Sequence, residues 1–221
     1  MHEKKLSEAI SAKNSFDRYL KKYQLLELLY DYWCVARLRN VGEDLSGFRD
    51  IMNNYTKTEI DTLQLLITSY VTNNDEIALK LQKVSTHNDL SSLIFIKFAR
   101  ESAPIKEKDK WDTFIRAVTS FSPLSSKDIE FDKSLSWQKS LHQQHVFDTE
   151  LLKISGYFIY RIRCSIAHSK IGEFIFDDSH DEFIVNFAEP LIDEIISQIL
   201  SNPDLNKLLR DSKRYSELAN S

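Results

Sequence analysis

Apolar residues along this chain recur mostly at three- and four-residue spacing, the signature of helices that turn one face inward. Phe16, Leu20, Tyr23, Leu26, Tyr30, Trp33 and Val35, with Asn14 or Ser15 as cap, predict a long helix to about Asn40. Its apolar surface is wide enough to be contacted from more than one side. Gly42 marks its stop, and a short helix follows over 48–55. Thr56-Lys57-Thr58-Glu59 has capping-box form and predicts a helix through Val71. Asn73 and Asn74 open another, to about Val84, and Thr86 to Asp89 repeats the cap pattern ahead of a run from Leu90 to Glu101 that Pro104 ends. Trp111, Phe114, Ile115 and Val118 form the next apolar face, stopped at Ser122-Pro123. The polar stretch from Ser125 to Gln144, with Phe131 and Trp137, reads as a loop plus an irregular helix. Leu151, Ile154, Phe158, Ile162 and Ile166 then mark the core face of a helix from an Asp148 or Thr149 cap to about Ser169. Phe174, Phe176, Phe183, Val185 and Phe187 alternate loosely around an acidic turn, which fits a small hairpin or extended loop over 173–187. Pro190 suits the first turn of a helix carrying Leu191, Ile195, Ile196 and Leu200, and Asn202-Pro203 restarts a short last one. With no internal repeat and no low-complexity linker, residues 1–221 read as a single all-α domain.

Composition supports that reading. The chain has 4 Gly and 4 Pro, too few for the many tight turns of a sheet protein, and at 42% hydrophobic it can bury a real core. A net charge of -4 argues against a surface coated in positive charge for generic nucleic-acid binding, but not against a local basic pocket. Cys34 and Cys164 give neither a zinc-ligand set nor a disulfide framework and read as reduced thiols. The N-terminus has no apolar signal core and no window reaches the ~18 apolar residues of a membrane span, so the expectation is a cytoplasmic protein that does not engage a membrane.

The chemistry concentrates at the end of the predicted core helix, in Tyr157 to Glu173, read YFIYRIRCSIAHSKIGE. The core stripe leaves Arg161, Arg163, Cys164, His168 and Lys170 on the rest of its surface. A basic cluster around one histidine on a rigid helix is a way to build a phosphodiester-handling site. Glu27 lies on the stripe of Tyr23, Tyr30 and Cys34; it either sits at the stripe's edge and reaches water or pairs with an arginine of the 161–163 cluster. Lys170 and Glu173 read as an exposed pair, with a phosphate contact by Lys170 as the alternative, and Tyr157 and Tyr160 as packing residues, either able to stack on a base. His142 and His145 stand one helical turn apart, but two imidazoles fall short of a zinc site, and no cofactor or metal is expected.

Arg163-Cys-Ser-Ile-Ala-His168 fits the R-x(4–6)-H motif, as does Arg161 to His168, and YRIRCSIAHSKIGE from Tyr160 to Glu173 resembles the aromatic–R–N–S–I–x–H–x–K stretch of HEPN proteins from bacterial abortive-infection systems. YQLLELLY, from Tyr23 to Tyr30, is similar to the first long helix of some of them. The resemblance implies a helical bundle of the HEPN type and metal-independent RNA cleavage in a toxin or antiviral-defence role. In that chemistry the ribose 2′-OH attacks the adjacent phosphate, with His168 moving protons and Arg163 stabilising the phosphorane. It also implies a homodimer with paired motif helices, and a regulatory or antitoxin partner; a non-catalytic module that binds a partner or nucleotide is the alternative. The residue after the motif arginine is usually Asn, Asp or His; here it is Cys164, whose hydrogen bonding Ser165 could take over. Helical geometry pulls the other way on the arginine: at about 100° per residue Arg161 lies within about 20° of His168, and Arg163 about 140° away.

Overall fold

A computed structural model describes residues 12–41, 44–55, 58–99, 103–120, 144–167, 174–208 and 210. Among these there is no strand, and the fold is all-α. Helix α1 (Ser15–Asn40) is capped by Asn14, whose side chain accepts from the Phe16 and Asp17 amides. Then come α2 (Leu45–Tyr55), α3 (Glu59–Tyr70) and α4 (Asn74–Gln82), which runs on as a 3₁₀ turn (Lys83–His87). Helix α5 (Asn88–Ser92) widens into a π turn (Leu93–Lys97), and α6 spans Lys108–Ser120. Helix α7 (Gln144–Ala167) is the centre; α8 (Glu189–Ser201) follows, and a last turn covers 203–208.

Several local expectations change. Helix α7 begins at Gln144, so Asp148 and Thr149 lie within it rather than capping it. Residues 125–143 and His142 lie outside the described residues, as does the side chain of His145. Helix α3 is capped by Thr58, not Thr56: its Oγ1 accepts from the Asp61 amide and donates to the Asp61 carboxylate at 2.6 Å. Thr86 makes no cap; it lies within the 3₁₀ turn, and α5 has no side-chain cap at all. No hairpin forms at 174–187. Only 174–177 is extended; a 3₁₀ turn (Asp178–His180), one helical turn (Asp181–Phe183) and a π turn (Ile184–Ala188) then run straight into α8. Pro190 explains the π turn: its ring would clash with the carbonyl four residues back in a regular helix, and a wider turn opens that register.

Helix α7 packs on α1, α3, α4, α8 and the π turn at 93–97. Phe158 is the aromatic hub: Phe95 stacks on it with centroids 3.8 Å apart, and Trp111, Phe114 and Phe187 contact it from α6 and from the π turn before α8. Tyr19 of α1, fully buried, donates to the Ile159 carbonyl at 3.1 Å. Gly156 lets α3 close in; a Cβ there would stand 3.2 Å from Gln64 Cγ.

Polar stitches hold α8 in place. Glu189, 8% exposed, accepts a two-point contact from Arg18, at 2.9 and 3.2 Å. Gln198 Oε1 accepts from the Thr72 and Asn73 amides, and Asn202 Nδ2 donates to the Tyr70 carbonyl. The α3–α4 junction is thereby fastened to the C-terminal helix. Truncating the hub, Phe158→Ala, is expected to destabilise the protein by about 3–5 kcal/mol in urea unfolding; a loss below about 1 kcal/mol would mean that the surrounding rings close the gap.

Candidate functional site

Every polar residue of α7 sits in a helix enclosed on most sides, and this separates the two arginines. Arg161 is buried, at 1% exposure, together with Cys164 and Ser165. The sequence placed them off the core stripe; the correction follows from α7 being central, since a helix with neighbours all around has no wide solvent face. Tyr157, at 1% exposure, is likewise a packing residue and no base-stacking platform. The least enclosed edge runs through Lys153, Tyr160 and Arg163, each half-buried, to the exposed Ala167. Ile166, expected on the core stripe, is only partly buried.

Arg163 reaches out between α1 and α3. Its Nε lies 3.3 Å from Glu59 Oε1, its Nη2 lies 3.7 Å from Glu27 Oε1, and its Cζ stands 5.4 Å from the centre of the Tyr23 ring. Both expectations for Glu27 therefore hold at once: it pairs with the cluster and, with a side chain 43% exposed, it also reaches water. Between Tyr23, Glu27, Glu59 and Thr62 lies a cavity of about 20 Å³, room for a single water.

The electrostatics of this group are uneven. Burial acts to lower the Arg163 pKa, but Glu59 above all, with Tyr23, Cys164 and Glu27, carries it above its ordinary value. Burial pushes the Glu27 carboxyl up, the charge of Glu59 pushes it further, and Arg163 offsets this in part. The Tyr23 phenol is raised well above its usual range, by burial first and then by Glu59. Two carboxylates thus face one guanidinium.

Comparison with known proteins returns no match: no family model fits the chain, and neither a curated protein nor a solved structure matches it.

His168, Lys170 and Glu173 lie outside the described residues. The structure brings Arg163 and Glu27 together and sets Arg161, Cys164 and Ser165 apart in the interior. Ser165 Oγ has no hydrogen-bond partner among the described residues, while its carbonyl accepts from the Phe176 amide at 3.3 Å. Among the described residues no group of three or more metal-ligating side chains converges.

Sequence reasoning missed Glu59 and the polar role of Tyr23. Glu59 was assigned to a capping box; because Thr58 and Asp61 form the cap themselves, the Glu59 side chain can turn to Arg163. The signal for it was the demand of Glu27 for a partner, which pointed to the right arginines but not to a second carboxylate.

The fold holds the Glu27 proton more tightly than the unfolded chain does, so this group favours folding at low pH, and the contribution fades as pH rises through its raised pKa. At neutral pH the wild type carries a disfavoured charge there. Glu27→Gln is expected to raise Tm by about 1–3 °C near pH 7, a modest value because the side chain is half in water. The gain should vanish below about pH 4, where the wild-type carboxyl is itself neutral. A Gln variant with lower Tm at neutral pH would mean that attraction to Arg163 outweighs the burial and the repulsion.

Proposed function

We propose that the chain is a metal-independent endoribonuclease of the HEPN type, in which Arg163 stabilises the phosphorane and His168 moves the protons. The observation that carries the reading is the separation of the arginines: Arg163, in register with the R-x4-H pattern, presents its guanidinium at an edge of α7, while Arg161 is enclosed. Arg161 is the motif residue that a straight helix would align with His168, but a buried guanidinium cannot meet an RNA backbone. An arginine suits the phosphorane because its charge is permanent and its donors form a planar fork. A histidine titrates near neutrality and can serve as acid and base, and use of the 2′-OH restricts cleavage to RNA.

The homodimer belongs to this proposal too. The edge that α7 can offer at a two-fold axis is Lys153, Tyr160, Arg163 and Ala167, and a site shared between two chains would supply a second histidine. A second reading, a non-catalytic regulatory module that binds a partner protein or nucleotide, is favoured by one observation. Glu27 and Glu59 together outnumber Arg163, so the described part of the site is not basic.

Incubating the protein with total RNA in EDTA separates the two. Cleavage leaving 2′,3′-cyclic phosphate ends is expected, reduced about 10²–10³-fold by Arg163→Ala and about 10²–10⁴-fold by His168→Ala, each variant remaining folded at the assay temperature. Arg161→Ala is expected instead to lower Tm markedly, through loss of a fully buried side chain. Intact RNA at every protein concentration, or activity that needs added Mg²⁺, would remove the nuclease reading and leave the regulatory one. Light scattering at the assay concentration should find a dimer; a fully active monomer would dismiss the shared site.

A further inference from the structure

The donor fork of Arg163 already faces carboxylates. Nε and Nη2 are the two nitrogens that grip a carboxylate or phosphate side-on, and they face Glu59 at 3.3 Å and Glu27 at 3.7 Å. Among the described residues, these two carboxylates and one guanidinium sum to a charge of minus one, so a phosphodiester arriving beside the three would meet net repulsion from them. Something has to leave, and the two carboxylates are not equivalent. Glu59 makes the shorter contact, has a less exposed side chain, at 34%, and keeps a buried Oε1 at the first turn of α3 beside Tyr23. Glu27 makes the longer contact, is more exposed, and is flanked by like charge from Glu59 on α3 and from Asp31 one turn along α1.

We propose that Glu27 holds the place on Arg163 that an RNA phosphate takes, so that strand binding exchanges this carboxylate for a phosphodiester while Glu59 stays and fixes the guanidinium. The inference rests on the reading of Arg163 as the phosphate-facing arginine. Glu27 is then a competitor built into the site, and Glu59 a positioning residue. The exchange breaks no covalent bond: the Glu27 carboxylate turns to water, and a phosphate oxygen takes its place beside Nη2, close enough to accept the charge-assisted hydrogen bond that Glu27, at 3.7 Å, does not make.

The test is fluorescence anisotropy with a labelled, uncleavable 2′-O-methyl single-stranded RNA, run beside a separate cleavage assay. Glu27→Gln should tighten binding about two- to fivefold, the scale of one partly exposed ion pair. Arg163→Ala should weaken binding and cancel the gain when combined with Glu27→Gln. Glu59→Gln should give no gain. Asp31→Asn removes an equal charge nearby; if it tightens binding as much as Glu27→Gln does, the effect is one of overall charge and the exchange is overturned. It is equally overturned if Glu27→Gln binds no better than wild type, or if the double variant keeps the gain. The nuclease reading fails separately: tighter binding by Glu27→Gln with no cleavage by any form supports the exchange and removes the catalysis. Cleavage by wild type with Glu27→Gln binding unchanged does the reverse.

Discussion

Helix α7 has neighbours on nearly every side, and the roles of the other elements follow from that enclosure. Phe158 sits in a nest of four rings drawn from the π turn at 93–97, from α6 and from the π turn that leads into α8. Each of those elements is therefore placed by what it must cover on α7. The distorted turns are part of the same solution: both wide turns supply a ring to the nest, Phe95 from one and Phe187 from the other. A site on such a helix inherits its rigidity, because the backbone that carries Arg163 cannot shift without disturbing the packed interior.

The enclosure also explains what could be read from sequence and what could not. Helix existence was legible wherever an apolar stripe met a cap: Asn14 with Phe16, Tyr23 and Leu26 fixed α1, and Asn73 fixed the start of α4. The aromatic spacing at 174–187 misled because it was compared with a strand period. Phe183 and Phe187 are one helical turn apart, and Phe174 and Phe176 lie on the short extended lead-in. The stripe of α7 holds at Leu151, Ile154, Phe158 and Ile162, which are buried, while Ile166 at its end is only partly so. What a stripe cannot convey is that the opposite face is covered as well, which is why Arg161 and Cys164 were expected off the core. Glu27 could be flagged because a carboxylate on an aromatic stripe needs an explanation; Glu59 could not, because a first-turn glutamate already had an ordinary one.

Charged pairs are used differently near the start of α1 and at its middle. At the N-terminal end, Arg18 and Lys22 converge on Glu189, and Lys22 also reaches Asp193, so that two cations meet two anions between α1 and α8. The hydrogen bond to Glu189 is the main reason the Arg18 pKa stands above its ordinary value. That is a balanced structural clasp. Two turns further along α1 the balance breaks: Glu27 and Glu59 face Arg163, and burial together with mutual repulsion makes the Glu27 charge unfavourable. If Glu27→Gln raises Tm as expected, the second arrangement is one that stability alone does not call for.

Set in the whole molecule, that local excess of negative charge has a consequence for selectivity. The chain carries a net charge of -4, so distant polyanions are not drawn in by its overall field. Under the proposed exchange, weak encounters with phosphate would gain little, because each would first displace Glu27 and recover only the difference between two similar ion pairs. A strand that also made contacts along the half-buried edge of α7, where Lys153 and Tyr160 lie, would recover more than that difference. On that proposal, an arginine held in reserve by a weakly held carboxylate would favour extended strands over isolated phosphates, at a modest loss in affinity for both.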